Sequence, residues 1–515
     1  MTESTLPPLV QKMLRPEFYP HPVTEPIGFV QTHISYVFLT GDYAYKAKKP
    51  MNFGFLDYST LEKRQHFCSE ELRMNQRGAP GIYLEVLPIT QTGEEFELGG
   101  SGEVVEYAVK MRQFPETSLL SSLFERGQLT EDLLVELAKA IATFHKTCPS
   151  NDYIRSFGEV TQVRQAFDEN YQQTEGYIGG PQTQQQFDET KAYTDQFFSD
   201  RADLFTNRIQ NSWIRECHGD LHLGNICQWQ NQLMLFDCIE FNEPFRFVDV
   251  MYDIAYIVMD LEVRNRPDLS AIFVSTYIEQ TGDWEGLQVL PIYVDRQTYV
   301  RAKVTSFMLN DPGVPDSEKQ KGSEKAALYY RLAWEYAKPK IGKIFLTCGL
   351  SGSGKSTTAR QLARQTGGIY IRSDAVRKHL GGVPLDQRGE DDLYSPEMTQ
   401  KTYDRLLSLG LLLSNQGYTV ILDAKYDRQI LREAVIDRAA AAEIPLQIVH
   451  CEAPLEVLRD RLHNRTGDIA DATADVLSQQ SLEPFSEVEK PYVKAIDTTQ
   501  DIGTQLLYSC FPVSS

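Results

Sequence analysis

Two stretches of this chain carry residue types at spacings that suit phosphate chemistry. One runs Gly349-Leu350-Ser351-Gly352-Ser353-Gly354-Lys355-Ser356, with Thr357 next. A strand feeding a glycine-rich turn that opens a helix aims backbone N–H groups and the helix's positive end at phosphate oxygens. Here "KIFLTC" supplies the strand and "STTARQLARQ" the helix. The glycines let the main chain approach the phosphates without Cβ clashes. Lys355 adds a point charge at the β- and γ-phosphates, and Ser356 can hold Mg²⁺.

The other stretch is "HGDLHLGN", in which His218-Gly219-Asp220 is followed by four residues and Asn225. This is the spacing of a phosphoryl-transfer catalytic loop. Such transfer needs an acceptor hydroxyl aligned by a carboxylate and metal ions that neutralise the developing charge. Asp220 can take the first role. Asn225, and Asp237 at the end of the apolar run "LMLF", can hold Mg²⁺. His218 and His222 also have the spacing of a helical zinc pair, but Gly219 and Gly224 argue against a helix, and no third ligand stands nearby. Asp220 and Asn225 could instead be turn residues bonding their own backbone. That reading fits either alone and fits poorly a set that includes Asp237, Asp249 and Asp253.

The elements that position these residues follow from pattern. "ISYVFLTGDYAYKAKK" reads as strand, Gly41-Asp42 turn and strand. "STLEKRQHFCSEELRMNQR" reads as a helix with Ser59-Thr60 as caps and Gly78 at its end. "IYLEVLPIT" and "EVVEYAVKMRQF" are strand-like, and 129–145 is helical. Residues 150–212 are polar and Gln-rich, which predicts helices around an exposed loop. Helical patterns return from Val248 to about Lys338, and Pro339 and Gly342 mark a boundary. Beyond it strand and helix alternate. The strands ending at Ser373-Asp374 and at Asp423 converge on the ligand crevice of a parallel sheet, which brings both carboxylates near the phosphate loop, Asp423 as a metal-ligand candidate.

Size and composition set the limits. A chain of 515 residues exceeds one hydrophobic core and predicts two or three domains. A net charge of −20 argues against sequence-independent nucleic-acid binding. The eight scattered cysteines form no C-x-x-C pair or framework, as expected in a reducing compartment. "MTESTLPPLV" lacks a signal-peptide profile, and "LLSLGLLLS" is too short to cross a bilayer. These observations predict a cytoplasmic protein with no membrane or nucleic-acid partner.

The C-terminal part resembles small P-loop kinases such as polynucleotide kinase, gluconate kinase and the zeta toxins. The resemblance lies in the phosphate loop, "SDAVR" and "LEVLRDRLHNR". It implies Asp374 as the base for an acceptor hydroxyl, Arg377 as a substrate or phosphate clamp, and Arg461 and Arg465 as lid residues. The first three hundred residues resemble the aminoglycoside phosphotransferase family, which has the protein-kinase-like fold. The matching elements are 218–225, "FDCIEF" with Asp237 and Glu240, and "VDVMYDIA" with Asp249 and Asp253.

That resemblance implies Asp220 as catalytic base, Asn225 and Asp237 as metal ligands, and Asp249 as a structural carboxylate. It also implies Lys46 of "YAYKAKK" as the lysine on the α- and β-phosphates, with Lys48 and Lys49 as near rivals. Glu71 would be its helix partner, Glu70 a lesser choice, and "VEYAVKMRQF" the hinge strand. No G-x-G-x-x-G precedes Lys46. The order of the two parts resembles a recurrent bacterial fusion.

These readings predict two domains. Residues 1–338 form an α+β protein-kinase-like bilobal fold, with an N-lobe at about 25–115 and a C-lobe at about 116–338. Residues 340–515 form an α/β P-loop NTPase fold with a parallel sheet. The expected function is bifunctional phosphotransfer from ATP, with Mg²⁺, to hydroxyls of small-molecule acceptors. The rival is a nucleotide-binding regulatory or ATPase module in which one domain is catalytically inactive or toxin-like.

Overall fold

The computed structural model describes residues 6–464, 469, 477 and 480–510. Arg465 lies outside the described residues. The chain divides into two compact units. The first comprises 1–130, 144–165 and 205–257, and the second 131–143, 166–204 and 258–515.

The first unit is built on a six-stranded antiparallel sheet. Its strands are β1 (Gly28–Gln31), β2 (Ser35–Leu39), β3 (Tyr43–Lys48), β4 (Tyr83–Thr92), β5 (Glu95–Leu98) and β6 (Glu103–Arg112). They are ordered β1-β2-β3-β6-β4-β5. Alternation along β3 sends Ala44 into the core with Val109 and Met111, and Tyr45 into the opposite core with Phe38 and Ile89. Lys46 and Lys48 therefore share the face of Ala44.

The helix Leu61–Gly78 packs on that face. Thr60 caps it by accepting the Lys63 N–H. Its buried stripe of Arg64, Cys68, Glu71, Met74 and Asn75 follows the helical period. Two of these residues are charged and need partners. Arg64 finds Glu106, at 2.7 Å, and Glu71 finds the two lysines of β3.

Beyond the sheet come β7 (Ile214–Glu216), β8 (Ile226–Trp229), β9 (Gln232–Leu235) and β10 (Phe247–Asp249). β8 and β9 form a hairpin, and β7 pairs with β10. These short ladders frame the "HGD" loop and the segment after it. The first unit is thus an α+β arrangement of one antiparallel sheet, a helix on its face and two short ladders.

The second unit holds a five-stranded, all-parallel sheet: β11 (Lys343–Cys348), β12 (Ile369–Arg372), β13 (Thr419–Asp423), β14 (Leu446–Glu452) and β15 (Val493–Asp497). Their order is β12-β13-β11-β14-β15. Strands covered on both faces read as unbroken apolar runs, as "IFLTC" and "VIL" do. Phe345, Ile421, Val449 and Ile496 meet Leu362, Ala363 and Leu506 in the core.

Helices from before residue 340 belong to this unit. The Tyr370 N–H bonds Ser275 Oγ at 3.3 Å, Tyr418 OH donates to the Leu287 carbonyl at 2.8 Å, and Arg405 pairs with Glu285 at 2.5 Å. Among the described residues, seven cysteines are buried free thiols, and no helix is long and apolar enough to cross a membrane.

Candidate active sites

In the first unit Lys46 Nζ stands 2.7 Å from Glu71 Oε1 and 2.8 Å from Asp237 Oδ1. Burial alone would drive Lys46 toward neutrality, but Asp237 and Glu71 hold its pKa well above the ordinary value. Glu71 is enclosed completely. Its burial is outweighed by the ammoniums of Lys46 and Lys48, which keep the carboxyl below the usual glutamate range.

The loop carrying Asp220 is fixed from beneath by Asp253. One Asp253 oxygen accepts the His218 N–H at 2.9 Å and the other the Gly219 N–H at 2.8 Å. His145 Nε2 lies 3.0 Å from the first of these oxygens. Burial works against the Asp253 charge, and the His145 bond and imidazole more than offset it, so its pKa falls below the ordinary value. Gly219 has φ +88°, and a Cβ there would meet the Phe245 carbonyl at 2.7 Å. Only glycine fits this turn without strain.

His218 uses both ring nitrogens locally. Nδ1 accepts the Asp220 N–H at 3.3 Å, so Nε2 is the donor to the Phe236 carbonyl at 2.8 Å. His222 Nδ1 accepts the Gly224 N–H. The two imidazoles thus serve the loop itself and not a zinc pair. Burial pushes the His218 pKa down, which keeps it neutral.

Asn225 Nδ2 donates to the Asp220 carbonyl at 3.0 Å and lies 3.4 Å from Asp220 Oδ2. That orients the amide with Oδ1 on the opposite side. The next segment is tied to this loop by Phe236 N–H to Asn225 O and Ile239 N–H to His218 O, both 3.0 Å. Between these bonds Asp237 adopts φ +62°, a conformation that short polar residues tolerate. Its side chain is 47% exposed. A carboxylate with accessible oxygens and a fixed amide oxygen are the hard donors that suit Mg²⁺. Asp249 accepts a bidentate contact from buried Arg208, at 2.6 and 2.8 Å.

In the second unit Gly349–Ser356 follows β11 and leads into the helix Lys355–Thr366. Gly349 has φ +140°, and a Cβ there would lie 2.6 Å from the Cys451 carbonyl. The Ser351 N–H donates to Gln480 Oε1 at 3.0 Å, and Gln480 Nε2 to Ser351 Oγ at 3.1 Å. The loop thus presents a main-chain N–H to an acceptor oxygen, the contact a phosphate makes. Lys355 Nζ donates to the Leu350 carbonyl at 2.9 Å.

Parallel topology brings Asp423, at the end of β13, beside β11. Asp423 is buried and accepts from Thr347 Oγ1 at 3.3 Å. Asp374 lies in the first turn of the helix Ser373–Leu380, just past β12. Ser356 and Asp423 offer the oxygen donors Mg²⁺ takes.

Two other predicted residues of the second unit bond main-chain carbonyls and threonine hydroxyls. Arg377 donates to the Leu393 carbonyl and Thr399 Oγ1, at 3.0 and 3.1 Å. Arg461 donates to the Gly352 carbonyl at 3.3 Å and to Thr498 Oγ1 and O at 2.8 and 2.7 Å. Thr498 Oγ1 in turn bonds the Ser353 carbonyl at 2.8 Å. Arg461 therefore braces the phosphate loop through its carbonyls.

Residues 344–483 match the AAA domain family. An uncharacterized protein of Mycobacterium tuberculosis is 31% identical over 462 residues, which cover 88% of this chain and 90% of that protein. The chain belongs to that protein's family. Among solved structures, a variant aminoglycoside 2′-phosphotransferase in complex with GDP is 10% identical, covering 64% of this chain and all of that one at TM-score 0.39. The Mycobacterium tuberculosis APS kinase in complex with AMPPNP and APS is 24% identical, covering 32% of this chain and 94% of that one at TM-score 0.26.

The motifs do not reveal His145, Gln480 or Thr498. His145 reaches Asp253 across 108 positions of sequence, and Gln480 reaches Ser351 across 129. No local spacing announces either. A buried histidine on the apolar face of 131–147 was the one available hint for His145.

Proposed function

We propose that the chain is a bifunctional ATP-dependent phosphotransferase, each unit moving the γ-phosphoryl group of ATP to a hydroxyl of a small-molecule acceptor. The observation that carries the reading is the assembly of Lys46, Glu71 and Asp237 within 2.8 Å contacts, Asp237 lying on a segment bonded directly to the Asp220–Asn225 loop. Nucleotide binding alone would have no use for a carboxylate positioned like Asp220.

In the first site Asp220 takes the proton of the acceptor hydroxyl as the acceptor oxygen bonds the γ-phosphorus. The bond from that phosphorus to the β–γ bridging oxygen breaks, and ADP leaves. Lys46 stabilises the phosphate oxygens, with Glu71 holding its ammonium in place. Partly buried Val37, Leu39, Phe114, Leu119 and Phe236, which pack against the core cluster that includes Ala44 and Met111, offer an apolar bed for the base. In the second site the loop 349–357 holds the phosphates, Lys355 supplies positive charge and Asp374 accepts the acceptor's proton.

Mg²⁺, when bound, neutralises charge that develops on the transferred group. Asn225 and Asp237 would hold it in the first site, Ser356 and Asp423 in the second. The test is transfer of labelled γ-phosphate from ATP to a panel of small alcohols, sugars and amino alcohols by the intact chain. Asp220→Asn and Asp374→Asn should each remove a separate set of products. If neither substitution changes any product or the basal ATP turnover, the proposal fails.

A further inference from the structure

Lys48 lies two residues beyond Lys46 on β3, and its side chain leaves the same face of the sheet. The mechanism above uses Lys46 only. The two lysines differ in access, for the Lys46 side chain is 14% exposed and that of Lys48 is 1% exposed. Lys48 is walled in and does not reach a phosphate.

Its contacts show what it does instead. Lys48 Nζ stands 2.6 Å from Glu71 Oε2 and pairs at its other side with Glu240 Oε1. Tyr58 OH donates to that Glu240 oxygen at 2.5 Å, and the Tyr58 ring centre lies 4.8 Å from the ammonium. The Glu240 main chain is held too, its carbonyl accepting from Arg246 Nη1 at 2.5 Å. Glu240 follows Asp237 by three residues. Glu71 splits its oxygens, Oε1 to Lys46 and Oε2 to Lys48.

We propose that Lys48 is a positioning residue, an ionic tie that holds the helix of Glu71 to the segment of Asp237 and so sets the spacing between Lys46 and Asp237. The inference rests on the phosphotransferase reading of the first site. Three carboxylates, Glu71, Asp237 and Glu240, share two ammoniums here. If Lys48 is lost, Glu240 becomes a buried carboxylate supported by a phenol alone, and Glu71 keeps only Lys46. Lys46 is then the single cation among three anions. It can no longer leave Asp237 for a nucleotide phosphate without exposing carboxylates to one another.

The experiment uses the full chain with Lys355→Ala and Ser356→Ala, so that only the first site reads. Titration calorimetry with a nonhydrolysable ATP analogue and Mg²⁺ gives affinity, and thermal unfolding gives stability. Lys48→Met should weaken binding about 10- to 100-fold, the range for partners that orient metal ligands, and should lower the melting temperature. Lys48→Met combined with Glu240→Gln removes both charges and keeps a partner for Tyr58. It should recover most of the melting temperature while affinity stays low.

Recovery of both would make Lys48 merely structural and overturn the proposal. So would a Lys48→Met affinity within about threefold of its parent, since outer partners cost at least tenfold. Lys46→Ala is the separate control. If it leaves nucleotide affinity unchanged, the reading of the first site falls and this inference with it, whatever the Lys48 variants do.

Discussion

Arg432 and Glu489 form an ion pair in which neither side chain reaches solvent, with Nε 2.5 Å from Oε1. Nη2 also reaches Glu489 Oε2 at 3.2 Å, and Nη1 and Nη2 donate to the carbonyls of Tyr426, Glu483 and Pro484, at 3.1 to 3.3 Å. The pair therefore pins 483–489 to the turn after β13. The Lys425 carbonyl in that turn accepts the Gly349 N–H at 3.1 Å, at the entrance of the phosphate loop.

Breaking this pair should destabilise the second unit. Arg432→Met leaves Glu489 buried and unpaired, a loss of about 3–5 kcal/mol for such pairs. Removing both charges with Arg432→Met and Glu489→Leu should restore much of it. Urea unfolding of the full chain measures this, and a single-variant loss under about 1 kcal/mol, the scale of a surface pair, would contradict the assignment.

Asp220→Asn should lower first-site turnover about 100- to 10,000-fold, the usual contribution of a general base. Nucleotide affinity should hold, because Asp220 serves the acceptor. ADP release in the Lys355→Ala, Ser356→Ala background gives the rate, and calorimetry gives the affinity. A parallel fall in both would mean that Asp220 binds the donor.

The intact chain should bind two nucleotides. Lys355→Ala with Ser356→Ala should leave one, and Lys46→Ala should remove the other. Calorimetric stoichiometry reads this directly. A stoichiometry of one in the unaltered chain would leave one site without its nucleotide.

Acid should weaken the first unit in two stages. The native pKa of His218 is depressed, so only the unfolded chain gains its proton readily, and stability should begin to fall below the ordinary histidine value of 6.5. Glu71 and Asp253 are also depressed. Their stabilisation is complete above the ordinary carboxyl values of 4.5 and 3.8, and is lost as pH falls toward their native values. Denaturation midpoints across pH 8 to 3 would trace both stages. Glu71→Gln should flatten the lower one, and an unaltered lower slope in that variant would assign the stage to other groups.

Legibility in the sequence follows the reach of each interaction. The phosphate loop is legible because strand, turn and helix stand in one continuous run, each flank testing the other. The antiparallel sheet is legible from alternation, and the Thr60 cap from residue type. The choice among Lys46, Lys48 and Lys49 is not. Alternation separates Lys49, which turns away to the Thr32 carbonyl and the Tyr36 ring. It cannot separate Lys46 from Lys48, because their difference in access depends on Tyr58 and Glu240, and Glu240 lies 192 positions from Lys48.

Arg461 shows another limit of local spacing. Its place on a helix is legible, while its folded partners, Gly352 and Thr498, come from two other elements that no spacing announces. Helix patterns before Pro339 read as part of the first domain because sequence order carries no information on which sheet a helix face will cover.

The company kept by residues 258–338 matters to anyone dissecting the gene. A fragment starting just past Pro339 would lose the Ser275 hydroxyl from β12, the Leu287 carbonyl from Tyr418 and the Glu285 carboxylate from Arg405. One flank of the parallel sheet would be stripped to apolar side chains and open amides. Such a truncated product should clump on expression, and its poor recovery would report a missing cover over the sheet and say nothing about catalysis.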